Sequence, residues 1–315
     1  MLEWGRPPLL SGCKRFMSDM QQFERSSDGL LVRAPAKINL SLLIAGKRPD
    51  GFHEIETVMA KVDWFDEISI QPGKAGIEFT CQGPSWAPGD RTNLVYRAAE
   101  LILSACGRRD AVRLTLTKNI PAGTGLGSGS SDAAAALTGL NTYLHLGLSK
   151  SKLMELASRL GSDIAFFLNG PLAYCTGRGE RICELPSGFD FAAVLILPGV
   201  NSSTREVYAH YSHDAALYHR LSTQITTYLA KNRIDLLARM CANMLECSCF
   251  RLHEELGDVK EAVQTLGKGP VCLSGSGSAM FCIPAGAESE RIEAVRDLVA
   301  ERTGCRCVVV RNNRW

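Results

Sequence analysis

The chain has 315 residues, of which 45% are hydrophobic and 22% are charged, and its formal net charge is +2. This length gives room for two domains with a sizeable buried core, and the composition is that of a globular protein. The near-neutral charge gives no electrostatic reason to expect a nucleic acid or a membrane surface as partner. No apolar run approaches the roughly 20 residues that are needed to span a bilayer.

The 12 cysteines are scattered along the chain, and no two have the C-x-x-C spacing. This pattern favours free thiols in a reducing compartment over a disulfide scaffold or a zinc site, so we expect a cytoplasmic protein. Residues 1–29 lack the apolar core of a secretory signal. We interpret them as a disordered extension or as the product of a misplaced start codon.

Strands and helices can be predicted in chain order. Residues 30–44 and 61–71 alternate or run apolar, as strands do. Residues 92–106 have helical spacing, with Thr92 as the predicted N-cap. The alternating strand at 113–118 leads directly into a glycine- and serine-rich loop, which is followed by an alanine- and leucine-rich helix at 132–146.

The second half of the chain begins with a predicted helix at 149–160 and a hairpin at 171–182. A buried strand at 191–197 follows a change of composition near 186–189, which is a candidate domain boundary. Helical sequence then extends from 203 to about 266. The chain ends with a strand–loop–strand unit, GPVCLSGSGSAMFCIP, a helix and a last strand, CRCVVVR.

The loop and helix start NIPAGTGLGSGSSDA, residues 119–133, are suited to an anion. A helix that begins within 128–131 presents unpaired backbone N–H groups and a positive dipole end, and the glycines allow a ligand to approach closely. The Walker lysine is absent, and so is the G-x-G-x-x-G spacing of dinucleotide oxidoreductases. From the residues alone, phosphate binding and a structural turn both remain open, and the nucleotide is undetermined.

Four other segments each have a structural as well as a functional interpretation. Lys37 lies in an apolar strand, where its ammonium needs a partner unless it reaches solvent at the strand end. Asp163 precedes an apolar stretch, as a helix cap does. RPDGFHE begins as a turn and delivers an aromatic residue together with His53. The SGSGS run at 274–278 is also compatible with a simple hairpin turn.

Taken together, five segments resemble the GHMP kinase superfamily in order and spacing: PAKINL, RPDGFHE, PAGTGLGSGSSDAAAAL, GSDIAFFLNG and LSGSGSAMF. The resemblance covers the chain from about residue 30 to its end. It implies an α+β fold of two domains, a β-α domain with the phosphate loop over 30–185 and a split β-α-β domain over 186–315. It also implies ATP and magnesium as cofactors.

The resemblance further implies roles at the acceptor site. Asp163 would be the catalytic base and Lys37 the lysine paired with it, which keeps the carboxylate ionised. Asn39 would contact the substrate. RPDGFHE and the S-G-S-S-D loop are similar to the branch that phosphorylates the 2-hydroxyl of 4-diphosphocytidyl-2-C-methyl-D-erythritol, in the non-mevalonate isoprenoid pathway. In that branch the residue at His53 reads the cytosine of this cytidyl diphosphate substrate, and the residue at Phe52 stacks on it.

The residues that the resemblance implies for ATP are Pro121, Gly123, Gly125, Leu126, Gly127, Ser128, Gly129, Ser130, Ser131 and Asn93, with Ser131 also a candidate magnesium contact. The chain departs from the family at Phe52, where tyrosine is common, and at Met244, which replaces an aspartate in a segment that we interpret as helix packing. Two alternatives are another small-molecule GHMP kinase and an inactive nucleotide-binding regulator. RPDGFHE argues against the first, and the retention of Lys37 and Asp163 against the second.

Overall fold

The computed structural model describes residues 21–186, 189–284 and 289–315. Most of the extension predicted for 1–29 lies outside these residues. Its last part is nevertheless folded, because Phe23–Ser26 forms a strand that turns back and pairs antiparallel with residues 29–32. The prediction of disorder up to residue 29 is therefore wrong for this strand.

The described chain contains both strands and helices. The strands are β1 (Phe23–Ser26), β2 (Gly29–Lys47), β3 (His53–Pro72), β4 (Ile77–Gln82), β5 (Val112–Thr117), β6 (Leu172–Gly177), β7 (Arg181–Glu184), β8 (Ala192–Leu197), β9 (Ala242–Asn243), β10 (Val271–Leu273), β11 (Met280–Cys282) and β12 (Arg306–Arg311). The helices are α1 (Leu94–Ala105), α2 (Ser128–Tyr143), α3 (Lys150–Ser158), α4 (Ile164–Phe167), α5 (Thr204–Ala209), α6 (Ala215–Ala230), α7 (Ile234–Arg239), α8 (Glu246–Leu252), α9 (Glu254–Gln264) and α10 (Ser289–Thr303).

The first sheet is built around a long antiparallel hairpin of β2 and β3, whose turn is the RPDGF segment. The strand order is β1-β2-β3-β5-β4, the β6–β7 hairpin pairs with β3, and β9 joins β2 in parallel. Helix α2 packs close to this sheet because its buried face consists largely of alanines and of Gly139, where a Cβ would lie 2.7 Å from side chains of Val32 and Ile70. This packing fixes the start of α2 at the end of the glycine-rich loop.

The second sheet has the order β10-β11-β8-β12 with all neighbours antiparallel. Along the chain its elements follow a split β-α-β pattern: β8, several helices, β10, β11, α10 and β12. All residues of β8 are buried, as the continuous apolar run predicts. The two-domain α+β fold with a split β-α-β second half is confirmed. None of the described helices has an apolar stretch long enough to cross a membrane.

Two local predictions are wrong. The N-cap of α1 is Asn93, not Thr92: the Asn93 side chain accepts a hydrogen bond from the Val95 N–H, whereas the Thr92 hydroxyl donates to Asp90. Met244 does not pack within a helix. It follows β9, its N–H donates to the Leu42 carbonyl, and its sulfur accepts from the Ile44 N–H, so the segment extends the first sheet.

Candidate active site

A cleft of about 990 Å³ brings together most of the residues that the sequence singles out. Its lining comes from the β2–β3 hairpin, the glycine-rich loop, the residues before α4, helix α5 and the loop after β10. The predicted residues that line it are Lys37, Asn39, Phe52, His53, Pro121, Gly123, Gly125, Leu126, Gly127, Ser128, Gly129, Ser130 and Asp163. The size is in the range of small-molecule sites.

The glycine-rich loop reaches the cleft through backbone conformations that glycine adopts readily. Gly125 has φ +76°, and a Cβ there would lie 2.0 Å from the carbonyl oxygen of Ser274. Gly127 has φ +70°, is the N-cap of α2, and lies close to Lys37 and Phe167. The first N–H groups of α2 are therefore at the cleft wall, as an anion site requires.

The SGSGS loop at 274–278 supports the glycine-rich loop. The Ser274 hydroxyl donates to the Gly125 carbonyl at 3.0 Å, and the Ala279 N–H donates to the Thr124 carbonyl at 3.0 Å. Asn243 in turn donates from its side-chain amide to the carbonyls of Leu273 and Gly275. The loop is thus more than a hairpin turn, because it joins the second sheet to the phosphate-loop candidate.

Lys37 is 3% exposed and its ammonium is held by neutral oxygens. It donates to Asn39 Oδ1 and to the Gly125 carbonyl, both at 2.5 Å. Burial lowers the pKa of Lys37, and the charge of the nearby Asp163 offsets this only in part. Among the described residues, Lys37 and Asp163 form no ion pair. The cost of burying this lysine is therefore met chiefly by the two neutral acceptors.

Asn39 and Asp163 differ in how free their side chains are. The Asn39 side chain accepts from Lys37 and donates to Thr57 Oγ1 at 2.8 Å, so it orients the lysine as well as lining the cleft. Asp163 precedes α4, but its backbone is helical and its carboxylate makes no capping bond. Its carboxylate is therefore available to a ligand in the cleft.

The part of the cleft at the tip of the β2–β3 hairpin, where His53 pairs with Lys47, is aromatic and basic. The ring of His53 lies 5.2 Å from that of Tyr208 and 5.8 Å from that of Tyr211. Burial, with the neighbouring charges of Lys47 and His213, lowers the pKa of His53. Phe52 is 50% exposed, and the Arg178 guanidinium lies 3.7 Å from its ring centroid.

Sequence reasoning missed Tyr208, Tyr211 and Arg178 as cleft residues. Ser203 and Glu206 have the spacing of a capping box, which indicates the short helix α5 but not its position against His53. Arg178 lies in the β6–β7 turn, where the sequence indicates only the turn. These contacts join segments far apart in the chain, so no local pattern predicts them.

Two predicted residues are not at the cleft wall. Asn93 is 6% exposed, and its side-chain amide is used to cap α1 and to donate to the Pro88 carbonyl. Ser131 is buried in the first turn of α2, and its hydroxyl has no hydrogen-bond partner in the described part of the chain. Ser128 and Ser130 line the cleft instead.

The chain matches the GHMP kinase N-terminal domain over residues 93–171 and the GHMP kinase C-terminal domain over 225–301. It is 39% identical over 264 residues to 4-diphosphocytidyl-2-C-methyl-D-erythritol kinase of Pelotomaculum thermopropionicum, covering 84% of this chain and 92% of that one. The chain belongs to the 4-diphosphocytidyl-2-C-methyl-D-erythritol kinase family. It is 36% identical to the same-named kinase of a Geobacillus species, with 80% and 87% of the two chains covered.

Solved structures agree with membership of this kinase family. A crystal structure of 4-(cytidine 5′-diphospho)-2C-methyl-D-erythritol kinase superposes with a TM-score of 0.70 at 32% identity, covering 90% of this chain and 99% of that one. Homoserine kinase from Cytophaga hutchinsonii superposes with a TM-score of 0.73 at 21% identity, over 94% and 98% of the chains. The second likeness concerns the fold alone. The protein is a small-molecule kinase with the two-domain GHMP fold.

Proposed function

We propose that this protein transfers the γ-phosphoryl group of ATP to the 2-hydroxyl of 4-diphosphocytidyl-2-C-methyl-D-erythritol. The observation that carries the proposal is the single cleft that holds the glycine-rich loop and Lys37 at one end, His53 at the other, and Asp163 among its lining residues. The names of the relatives at 36% to 39% identity support the same substrate.

The nucleotide end would bind the phosphates of ATP. The backbone of residues 123–130 and the start of α2 supply N–H donors and a positive dipole end, and Lys37 supplies a full charge. Asn39 and the Gly125 carbonyl hold this ammonium beside the loop, so it needs no reorganisation when the phosphates arrive.

The acceptor end would bind the cytidyl group. Phe52 and Tyr208 supply aromatic surface for a pyrimidine ring, since both line the cleft together with His53, whose ring lies 5.2 Å from that of Tyr208. The lowered pKa of His53 favours a neutral imidazole with one donor and one acceptor nitrogen. Arg178 and Lys47 also line this end, and their charges suit a diphosphate.

In the chemical step, Asp163 would accept the proton of the attacking 2-hydroxyl as general base. The hydroxyl oxygen forms a bond to the γ-phosphorus while the bond from this phosphorus to the β,γ-bridging oxygen breaks, and ADP leaves. Lys37 would stabilise the charge on the transferring group, because phosphoryl transfer depends mainly on positioning and charge neutralisation.

Magnesium would bind mainly through the phosphates of ATP. Among the described residues no cluster of three histidine, cysteine or acidic side chains could hold a metal. The hydroxyls of Ser128 and Ser130 and the carboxylate of Asp163 are among the side-chain oxygens that line the cleft, and oxygen ligands suit this ion. When bound, the ion neutralises phosphate charge.

The cysteines of the described residues are free thiols. This supports a reducing compartment, and we place the protein in the cytoplasm on that ground.

A direct assay tests the proposed function. Purified protein with radiolabelled ATP and magnesium is offered the cytidyl substrate, homoserine or mevalonate, and the phosphorylated product is separated and counted. We expect a phosphorylated product from the cytidyl substrate and none from homoserine or mevalonate. Phosphorylation of homoserine or mevalonate without the cytidyl substrate would refute the acceptor, and ATP binding without any transfer would identify a regulator instead.

A further inference from the structure

A buried charge cluster lies at the base of the glycine-rich loop, outside the cleft. Lys118 directly precedes the loop and Asp132 follows it, in the first turns of α2. The Lys118 ammonium donates to Asp132 Oδ2 and to Asp66 Oδ2 on β3, both at 2.5 Å. The side chains of Lys118, Asp66 and Asp132 are 1%, 0% and 4% exposed, and none of them lines the cleft.

The cluster holds both ends of the loop. The second oxygen of Asp66 accepts the backbone N–H groups of Asn119, at 2.6 Å, and of Ile120, at 2.8 Å. The Lys118–Asp132 contact joins the residue before the loop to the residue after it. Residues 119–131 therefore form a closed segment whose entry is fixed by Asp66 and whose exit is fixed by Asp132.

Such a cluster is a poor device for stability alone. Apolar side chains of similar volume often stabilise a fold as well as a buried ion pair does, and the best-attested use of buried charges is to select one arrangement of the chain. A glycine-rich loop has much conformational freedom to lose when it binds a ligand. Fixing its two ends before binding lowers that loss.

We infer that Lys118, Asp66 and Asp132 are positioning residues that close the base of the phosphate loop and thereby set its affinity for ATP. The inference rests on the proposed role of this loop in binding ATP. It assigns the three residues an effect on the nucleotide that they do not contact, and no effect on the acceptor.

The test compares variants that break the Lys118–Asp132 contact with one that keeps it. Asp132→Leu removes one of the two carboxylate acceptors of the Lys118 ammonium, the one that lies after the loop. We expect the KM for ATP to rise about tenfold or more, as small displacements of binding groups do. The KM for the cytidyl acceptor should change by less than about twofold. Asp132→Asn keeps an oxygen for Lys118 and should restore a KM for ATP close to that of the wild type.

A second variant covers the case in which Asp132→Leu fails to fold. The double variant Lys118→Met with Asp132→Leu removes the Lys118 ammonium together with the Asp132 carboxylate. Asp66 keeps its two backbone donors, so this variant should fold and still show the raised KM for ATP. Calorimetric titration with a non-hydrolysable ATP analogue measures the same loss without turnover. Lys152→Met, at an exposed lysine paired with Glu155, is the matched control and should change neither KM.

The outcomes separate the inference from the proposed function. A folded wild-type protein that binds no ATP would refute the function proposed for the loop. If the wild type binds ATP but both opened variants keep its KM for ATP within about twofold, the inference is wrong, whatever their thermal stability. A parallel rise in both KM values would also overturn it, because general loosening would then explain the data.

Discussion

Lys37 and Lys118 both lie at the same glycine-rich loop, Lys37 against the Gly125 carbonyl and Lys118 directly before its first residue, and both are almost completely buried. Lys37 donates to an amide oxygen and a carbonyl, whereas Lys118 donates to two carboxylates. Burial lowers the pKa of Lys37. Burial would also lower the pKa of Lys118, but the charges of Asp132 and Asp66 outweigh it and raise the pKa.

The difference indicates what each lysine is for. The charge of Lys118 is compensated within the folded chain, so its role is in the arrangement of the protein itself. The charge of Lys37 has no carboxylate at bonding distance among its described partners, and it faces the cleft. A phosphate would supply the missing negative charge, which makes Lys37 the one that benefits from a ligand.

The largest effect is expected at the carboxylate beside Lys37. Asp163→Asn removes the proposed general base without changing the shape of the cleft, and kcat should fall by about 10²- to 10⁴-fold. Binding of ATP should be largely retained, since the loop and Lys37 are untouched. Steady-state kinetics and calorimetric titration with ATP measure the two quantities.

Asp110→Asn is the matched control for this prediction, because Asp110 is paired with Arg108 away from the cleft. It should leave kcat unchanged. Turnover of Asp163→Asn within a few fold of the wild type would exclude Asp163 as the base.

Substituting the two lysines should separate stability from activity. Lys118→Met leaves two buried carboxylates without their cation and should cost about 3–5 kcal/mol of unfolding free energy. Lys37→Met removes an ammonium that has only neutral partners, so the loss of stability should be far smaller, while kcat should fall by about 10²-fold or more. Urea unfolding and steady-state kinetics on both variants test this, and equal losses of stability would contradict the comparison.

A third buried lysine, Lys61, resembles Lys37 in its partners but does not line the cleft. Its ammonium donates to the carbonyls of Phe167 and Asn169, and burial lowers its pKa to about 8. An unfolded lysine has a pKa of about 10.4. Between these two values the unfolded state binds more protons, so unfolding free energy should rise with pH across this window, by at most about 3 kcal/mol.

The difference in unfolding free energy between the wild type and Lys61→Met isolates this effect. It should shift in favour of the wild type as the pH is raised from 8 towards 10, and it should be constant below that window. Urea unfolding at several pH values measures it, with the exposed Lys152→Met as control. A pH-independent difference would show that folding does not lower the pKa of Lys61.

The sequence predicted the elements that follow from local patterns. The strand, glycine loop and alanine-rich helix around residue 128 are adjacent in the chain, and their periodicity and glycine spacing are enough to predict them. For Asp163 the sequence leaves a helix cap and a catalytic role open, and the structure removes the first alternative, because its carboxylate makes no capping bond and lines the cleft.

The remaining features depend on contacts between distant segments. Lys37 lies in an apolar strand in the sequence and Lys118 ends the alternating segment 113–118. Only the folded chain brings Asp66 and Asp132 to Lys118 and leaves Lys37 with neutral acceptors. In the same way, the ring of Tyr208 on α5 meets that of His53 on β3 although the two residues are far apart in the chain. Such pairings leave no local periodicity, so propensity and spacing cannot predict them.

The smallest effect is expected at the acceptor end of the cleft, which neither Lys37 nor Lys118 contacts through its hydrogen bonds among the described residues. His53→Ala removes the imidazole that lies against Tyr208 and Tyr211, and the KM for the cytidyl acceptor should rise about tenfold, as loss of one hydrogen-bonding group costs. The KM for ATP should not change. His219→Ala, at an exposed histidine outside the cleft lining, is the control.

The same residue should give the acceptor affinity a pH dependence. Because burial and the charges of Lys47 and His213 lower the pKa of His53, its imidazole is neutral at pH 7 and gains a proton only below its ordinary value of about 6.5. Protonation removes the acceptor nitrogen, so the KM for the cytidyl substrate should rise as the pH falls below 6.5, in the wild type but not in His53→Ala. An identical pH profile in both proteins would mean that the substrate does not use this nitrogen, and base recognition would then rest on Phe52 and Tyr208.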